Sequence, residues 1–187
     1  MLTKAVVRPP APNFFEGLTT AGQGAPDYER ALKQHGLYCA ALERCGLKLM
    51  RLKADPNYPD STFVEDTAVL LPPAGRRTQT RTQLVMTRPG APSRRGEVES
   101  VRSTLVELAS SSYEIESPGT LDGGDVCEAA MHFFIGISER TNEAGARQLE
   151  ALLTRYGYRS NFIDIRNVEG LLHLKSGLAY LETIAWW

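Results

Sequence analysis

Apolar and polar positions follow one another along this chain in short blocks whose period changes several times. Residues 3–8, TKAVVR, have an apolar centre followed by Pro9 and Pro10, which cannot continue a hydrogen-bonded ladder, so a short strand is expected there. The segment 13–26, NFFEGLTTAGQGAP, breaks up after its aromatic pair and predicts a mobile surface loop. Asp27 then offers a helix cap, with Tyr28, Ala31, His35, Tyr38, Leu42 and Cys45 recurring at steps of three and four until Gly46 stops the helix. Strands are expected at 47–52 and, interrupted by Glu65 and Asp66, at 63–71, with the turn-rich DPNYPDS between them. The stretch 72–83, PPAGRRTQTRTQ, reads as a basic loop or hairpin tip, after which QLVMT resumes a strand.

A second helix is expected over 97–109 from the stripe Val98, Val101, Leu105 and Leu108. Residues 113–116 read as a strand, SPGTLDGGD as a tight loop, and Val126 and 132–137 as a strand pair. The third helix should start near Asn142, bury Leu149, Leu152 and Tyr156, and stop at Gly157. Further strands are expected at 159–165, 171–175 and 177–184. The helix-bearing blocks thus repeat roughly as helix, strand, polar loop, strand. FVED, LDGGD and EGLLHLKSG follow the three helices in turn. Asp66, Asp122 and His173 in these loops lie 56 and 51 residues apart, so the loops are expected to converge around one axis. The alternative is an ordinary parallel α/β sheet with its loops gathered at one edge.

Length and composition bound what such a chain can be. Its 187 residues suit one domain, 1–187, with a sizeable core; 42% apolar and 23% charged residues argue against an extended disordered chain. A net charge of −1 supplies no basic field for nucleic acid or an anionic membrane. The opening MLTKAVVRPP lacks the apolar core of a signal peptide and no later run reaches the roughly 20 apolar residues that span a bilayer, so the cytoplasm is the expected compartment. Cys39, Cys45 and Cys127 form no framework and are expected as reduced thiols. The cation set is 16 Arg to 5 Lys, which fits anion recognition or genomic bias equally.

Several separated motifs, in order, carry a resemblance through almost the whole chain: RPPAPNFFEGLTT, HGLYCAALE, YPDSTFVED, TRPGAPSRRGE, SPGTLDGGD, FFIGISERTNEAGA and LHLKSGLAYL. They resemble the dimethylarginine dimethylaminohydrolase family, within the guanidine-modifying pentein superfamily. The resemblance implies an α/β fold of the pentein type, a propeller of five units of which this chain represents about three. It implies cysteine-based hydrolysis of Nω-methylated L-arginine to L-citrulline and methylamine or dimethylamine, with no cofactor. His173 resembles the general acid/base, and Asp122 the carboxylate that orients the reaction. Asp66 resembles the residue gripping the guanidinium, with Asp60 in the same recognition shell; Arg94 and Arg140 resemble clamps on the substrate α-carboxylate; and Leu18 falls in the lid whose backbone closes over the amino-acid end. The family's nucleophilic cysteine belongs to a motif well beyond the histidine motif. This sequence ends 14 residues after His173, and none of its three cysteines matches.

Elementary chemistry agrees with these roles. A planar cationic guanidinium is held by aspartates in fixed geometry, while arginine forks bind a carboxylate bidentately; together they specify an arginine-like zwitterion. Each residue also has an ordinary alternative: helical packing for Cys39 and Cys45, strand packing for Cys127, turns or caps for the aspartates, surface ion pairs for the arginines. LDGGD is not GxGxxG, and no closely spaced Cys/His set suggests zinc. Two other functions remain open: a non-catalytic protein that binds arginine-like ligands, and arginine deimination. A homodimer or a complementary C-terminal chain is the expected macromolecular partner, with Trp186 and Trp187 as a candidate apolar contact.

Overall fold

The computed structural model describes residues 3–19, 22, 24–73 and 82–181, and the chain divides into two compact units, Met1–Val64 and Glu65–Trp187. In the first unit β1 (Lys4–Val7) and β2 (Lys48–Arg51) pair in parallel, Lys4 opposite Lys48 and Val7 opposite Arg51. A parallel pair needs a crossover, and α1 (Tyr28–Arg44) supplies it. Asp27 caps α1 by accepting the Arg30 N–H at 2.9 Å, and Gly46, at φ +84°, leaves it in the left-handed region that glycine adopts without strain. The expected stripe is displaced by one residue at its middle: Cys39, not Tyr38, is the buried position, and Tyr38 stands 57% exposed. Within the expected loop 13–26, Phe14–Glu16 forms a 3-10 turn; residues 20, 21 and 23 lie outside the described set.

The second unit contains two similar repeats. In one, the antiparallel pair β3 (Ala68–Leu71) and β4 (Gln83–Met86) is followed by α2 (Glu97–Val106) and by β5 (Ser111–Glu114), which lies parallel to β4. In the other, β6 (Val126–Ala129) and β7 (His132–Ile137) are followed by α3 (Glu143–Arg155) and β8 (Arg159–Asp164), parallel to β7. Among the described residues the sheets are separate, one of two strands and two of three, in place of a single parallel sheet. Central strand β4, QLVM, is buried at every position, as a strand covered on both faces must be. The main core joins Val69, Leu71 and Val85 to Phe133, Ile135, Leu149 and Leu153.

Several expected elements are shorter or different. Of 63–71 only Ala68–Leu71 is strand; Val64–Thr67, carrying the two acids, is a 3-10 turn whose Asp66 carbonyl accepts the Thr87 hydroxyl at 2.7 Å. α2 ends at Val106 instead of residue 109, where the Leu108 N–H turns back to the Leu105 carbonyl. β5 lies two residues earlier than the expected 113–116. Among the described residues of 171–181 there is no strand. The Gly177 and Leu178 N–H groups both bond the Leu174 carbonyl, closing a 3-10 turn at Leu174–Ser176 where a ladder would need a neighbouring strand. Residues 74–81 of the basic loop and 182–187, with Trp186 and Trp187, lie outside the described residues. α3 starts and stops as expected, with Asn142 capping it through the Gly145 N–H at 2.8 Å and Gly157 following it at φ +85°; Leu149 is fully buried, but Leu153 is its buried neighbour while Leu152 and Tyr156 are half-buried against the core. Among the described residues no helix is long and apolar enough to cross a membrane.

Candidate active site

Three polar residues of the second unit occupy corresponding places beside 3-10 turns. Asp66 lies in the turn leading into β3, Asp122 immediately precedes the turn Gly123–Asp125 leading into β6, and His173 immediately precedes Leu174–Ser176. The structural repeat therefore brings residues 56 and 51 apart in sequence into one cluster, in which a side-chain N or O atom from each lies within 4.8 Å of the others. His173 Nε2 stands 3.3 Å from Asp122 Oδ2, while the Gly90 N–H donates to Asp122 Oδ1 at 3.0 Å. Asp66 accepts the Gly124 N–H at 2.9 Å on Oδ1 and the Arg94 guanidinium at 2.7 Å on Oδ2.

Gly124 is required by this close approach. A β-carbon there would stand 2.6 Å from Asp66 Oδ1 and 2.9 Å from the His173 ring. Arg94 is itself almost fully enclosed, and its other nitrogens bond Glu97 at 2.8 and 3.0 Å. Its fork is therefore committed to Asp66 and Glu97. The Arg94 guanidinium, expected at a substrate carboxylate, thus stands 4% exposed between two carboxylates of the protein.

Electrostatics follow from this packing. Burial by itself would lower the His173 pKa, but the Asp122 hydrogen bond and the charges of Asp66, Asp125 and Asp122 outweigh it and leave it above the ordinary 6.5. Burial likewise opposes the charge on Arg94, yet Glu97 and Asp66 hold it more firmly cationic than usual. For Asp125 burial dominates and raises the pKa, against hydrogen bonds from Ser138, Thr141 and the Leu174 N–H and the charge of His173. A raised folded-state pKa means that the His173 contribution to stability is complete below the unfolded value near 6.5 and disappears as pH rises through the folded value. Urea unfolding of the wild type and His173→Gln between pH 5 and 9 should thus give a stability difference that shrinks with increasing pH. A difference independent of pH would contradict the protonated His173–Asp122 pair.

The remaining expected residues fall in different places. Arg140 follows β7; its N–H bonds Ser138 Oγ at 2.9 Å, and its guanidinium makes no hydrogen bond or ion pair among the described residues. In the first unit the Leu18 N–H donates to both oxygens of buried Asp60 at 3.1 Å. Cys39 is buried in α1 beside His35, and Cys45 is exposed at the end of that helix. Cys127 packs with Ile165 and Leu174 and contacts the Leu178 carbonyl at 3.9 Å. Sequence reasoning missed Glu97, three residues after Arg94 in SRRGE, and Asp125, the second acid of LDGGD. An acid one helical turn from a proposed functional arginine, and an acid repeated inside a glycine-rich motif, were the available signals. Asp66, Asp122 and His173 also have the chemistry of a cation-binding set, but Arg94 already places a positive charge 2.7 Å from Asp66.

No family model matches the chain. It is 41% identical to the N(G),N(G)-dimethylarginine dimethylaminohydrolase of Pseudomonas aeruginosa, over 97% of this chain and 67% of the relative. The Pseudomonas aeruginosa enzyme, solved as a cysteine-to-serine variant complexed with citrulline, superposes with a TM-score of 0.86 at 40% identity, again over 97% of this chain and 67% of that one. The N-terminal domain of a cyanobacterial arginine dihydrolase, 16% identical with a TM-score of 0.66 over 85% of this chain and 56% of that one, shares the fold. The chain accordingly shares its fold with both of these solved enzymes. The chain spans about two thirds of the length of the curated relatives it matches. With that identity across nearly all of its residues, the chain belongs to the dimethylarginine dimethylaminohydrolase family of hydrolases.

Proposed function

We propose that residues 1–187 form the guanidinium-binding and acid/base part of an enzyme that hydrolyses Nω-methylated L-arginine to L-citrulline and methylamine or dimethylamine. The observation carrying this reading is the cluster of Asp66, Asp122 and His173 in a chain 41% identical to such an enzyme. The chain makes about three units of a five-unit propeller, a reading supported by its three sheets, each with one helical crossover.

A carboxylate has about four acceptor positions, so Asp66 can bind Gly124 and Arg94 and still receive two donors from a substrate guanidinium. Asp122 holds His173, and Arg140 takes the α-carboxylate with its uncommitted fork. Leu18 and Asp60 keep the binding role implied by family resemblance, supported by their mutual hydrogen bonds. In the reaction a thiolate attacks the guanidinium carbon, the C–N bond to the methylated nitrogen breaks, and His173 gives its proton to the departing amine. His173 then takes a proton from the water that attacks the thiouronium carbon; expulsion of the thiolate leaves citrulline. The chemistry requires no metal or organic cofactor. None of Cys39, Cys45 and Cys127 is assigned that thiol, and a complementary C-terminal chain or a homodimer is the proposed assembly. Neither nucleic acid nor a membrane enters the reading. Three free cysteines support a reducing, cytoplasmic setting.

A second reading, binding of arginine-like ligands without turnover, is favoured by the packing of Cys39 in α1 and of Cys127 against Ile165 and Leu174. Parallel assays of citrulline and amine release from methylated arginine and arginine, with citrulline binding measured by calorimetry, separate the alternatives. This chain alone should bind citrulline without turnover, and addition of a relative's C-terminal third should release methylamine. Binding without turnover in both settings would favour the second reading; no binding would defeat both. Ammonia release from arginine would identify deimination.

A further inference from the structure

Asp125 lies behind the proposed site, 0% exposed. Its Oδ1 accepts the N–H of Leu174, the residue after His173, at 3.0 Å, and its Oδ2 accepts the Ser138 hydroxyl at 2.6 Å. The direction of the second bond is fixed by its surroundings. Ser138 Oγ already accepts the Arg140 N–H at 2.9 Å and the Thr141 N–H at 3.0 Å, so both lone pairs are used and its one hydrogen goes to Asp125. The Thr141 hydroxyl oxygen in turn accepts the Asp122 N–H at 3.0 Å, so the residue that leans on Ser138 through its N–H also holds the Asp122 backbone.

From this connectivity we infer that Asp125 is a positioning residue, which through Leu174 and through Ser138, itself bonded to the Arg140 and Thr141 N–H groups, holds the His173–Asp122 pair and the Arg140 backbone in one fixed arrangement. The inference rests on the proposed function for its ligand and assigns Asp125 no contact with substrate. Asp125 couples the end of the site where the C–N bond breaks to the end that reads the α-carboxylate. Only a carboxylate suits the position, because both bonded neighbours, Ser138 and Leu174, donate to it. The amide of an asparagine would turn its NH2 toward either the Leu174 N–H or the Ser138 hydroxyl, setting donor against donor in both orientations. The charged groups around His173 are Asp122, Asp66 and Asp125, so removing the Asp125 charge also withdraws one of three anions that favour its protonated form.

The test compares the wild type, Asp125→Asn and Ser138→Ala by NMR titration of His173, by the amide resonances of Arg140 and Thr141, and by calorimetric binding of L-arginine and of agmatine, which lacks the α-carboxylate. In Asp125→Asn the His173 pKa should fall toward 6.5, the Arg140 and Thr141 amides should move, and the preference for L-arginine over agmatine should drop at least about fivefold. Ser138→Ala retains the Asp125 charge and the Leu174 bond, so it should weaken the preference and move both amides while leaving His173 titrating as in the wild type. A folded Asp125→Asn protein that changes only the histidine or only the arginine end refutes the coupling. If Asp125→Asn does not fold, Ser138→Ala decides: unmoved Arg140 and Thr141 amides overturn the inference. Should the wild type bind neither L-arginine nor agmatine, the proposed ligand is wrong, and the coupling is still judged by the His173 titration and the amides.

Discussion

Replacing Arg94 by alanine should destabilise the protein by about 3–5 kcal/mol at neutral pH, because it removes one partner of a buried charge network. The Arg94, Asp66 and Glu97 side chains are 4%, 4% and 1% exposed, so water cannot replace the lost guanidinium. Two carboxylates would remain enclosed without their shared cation, and the least costly response is to take up protons. The defect should therefore diminish as pH falls, since protonation of the variant's folded state offsets part of the loss. Arg94→Lys should fall between the two proteins: a point charge restores neutrality but cannot reach both acids with a planar fork. Urea unfolding at pH 7 and pH 5 tests this directly. A loss below about 1 kcal/mol at neutral pH would show that the network lacks the energetic importance expected of a buried set.

Gly124→Ala should disrupt the candidate site more than one methyl group would suggest. The new carbon would collide with Asp66 Oδ1 at 2.6 Å and with His173 at 2.9 Å. Asp66 cannot yield without loosening the Gly124 N–H and Arg94 bonds, whereas the His173 side chain, 13% exposed, has solvent on one side. The ring should move outward, lengthening its 3.3 Å contact with Asp122 and lowering its pKa toward 6.5. Overpacking of this kind costs about 1–3 kcal/mol, and citrulline affinity should fall about tenfold or more because the histidine no longer closes the aspartate cluster. NMR titration of His173, with calorimetry of citrulline binding, provides the check. A His173 that titrates as in the wild type would place the clash elsewhere.

Much of the scaffold was legible because its signals are local. Asp27 and Asn142 mark helix starts by offering side-chain oxygens to free N–H groups, and Gly46 and Gly157 mark the ends by adopting positive φ. Tyr38 was misread on α1 because a mixed helix with one fully buried residue has little apolar stripe to follow. The expected strands at 171–175 and over the described part of 177–184 were misread for a different reason. Apolar runs favour burial, but a strand also needs a partner edge, and Leu174 instead packs with Cys127 and Ile165.

For the candidate site, the sequence by itself determined the chemical inventory and its spacing: Asp66, Asp122 and His173 in three successive polar loops, Arg140 in SERTNE, and Leu18 and Asp60 in the first unit. It also carried the family resemblance, because ordered motifs survive in one dimension. The commitments of those groups were decided by tertiary structure. Arg94 points its fork at Asp66 and Glu97, Gly124 leaves room for Asp66 and His173 to approach, and Asp125 gathers donors from Ser138 and Leu174. A hydrogen bond depends on ångström distances between residues far apart along the chain, and those distances exist only once the repeats have packed.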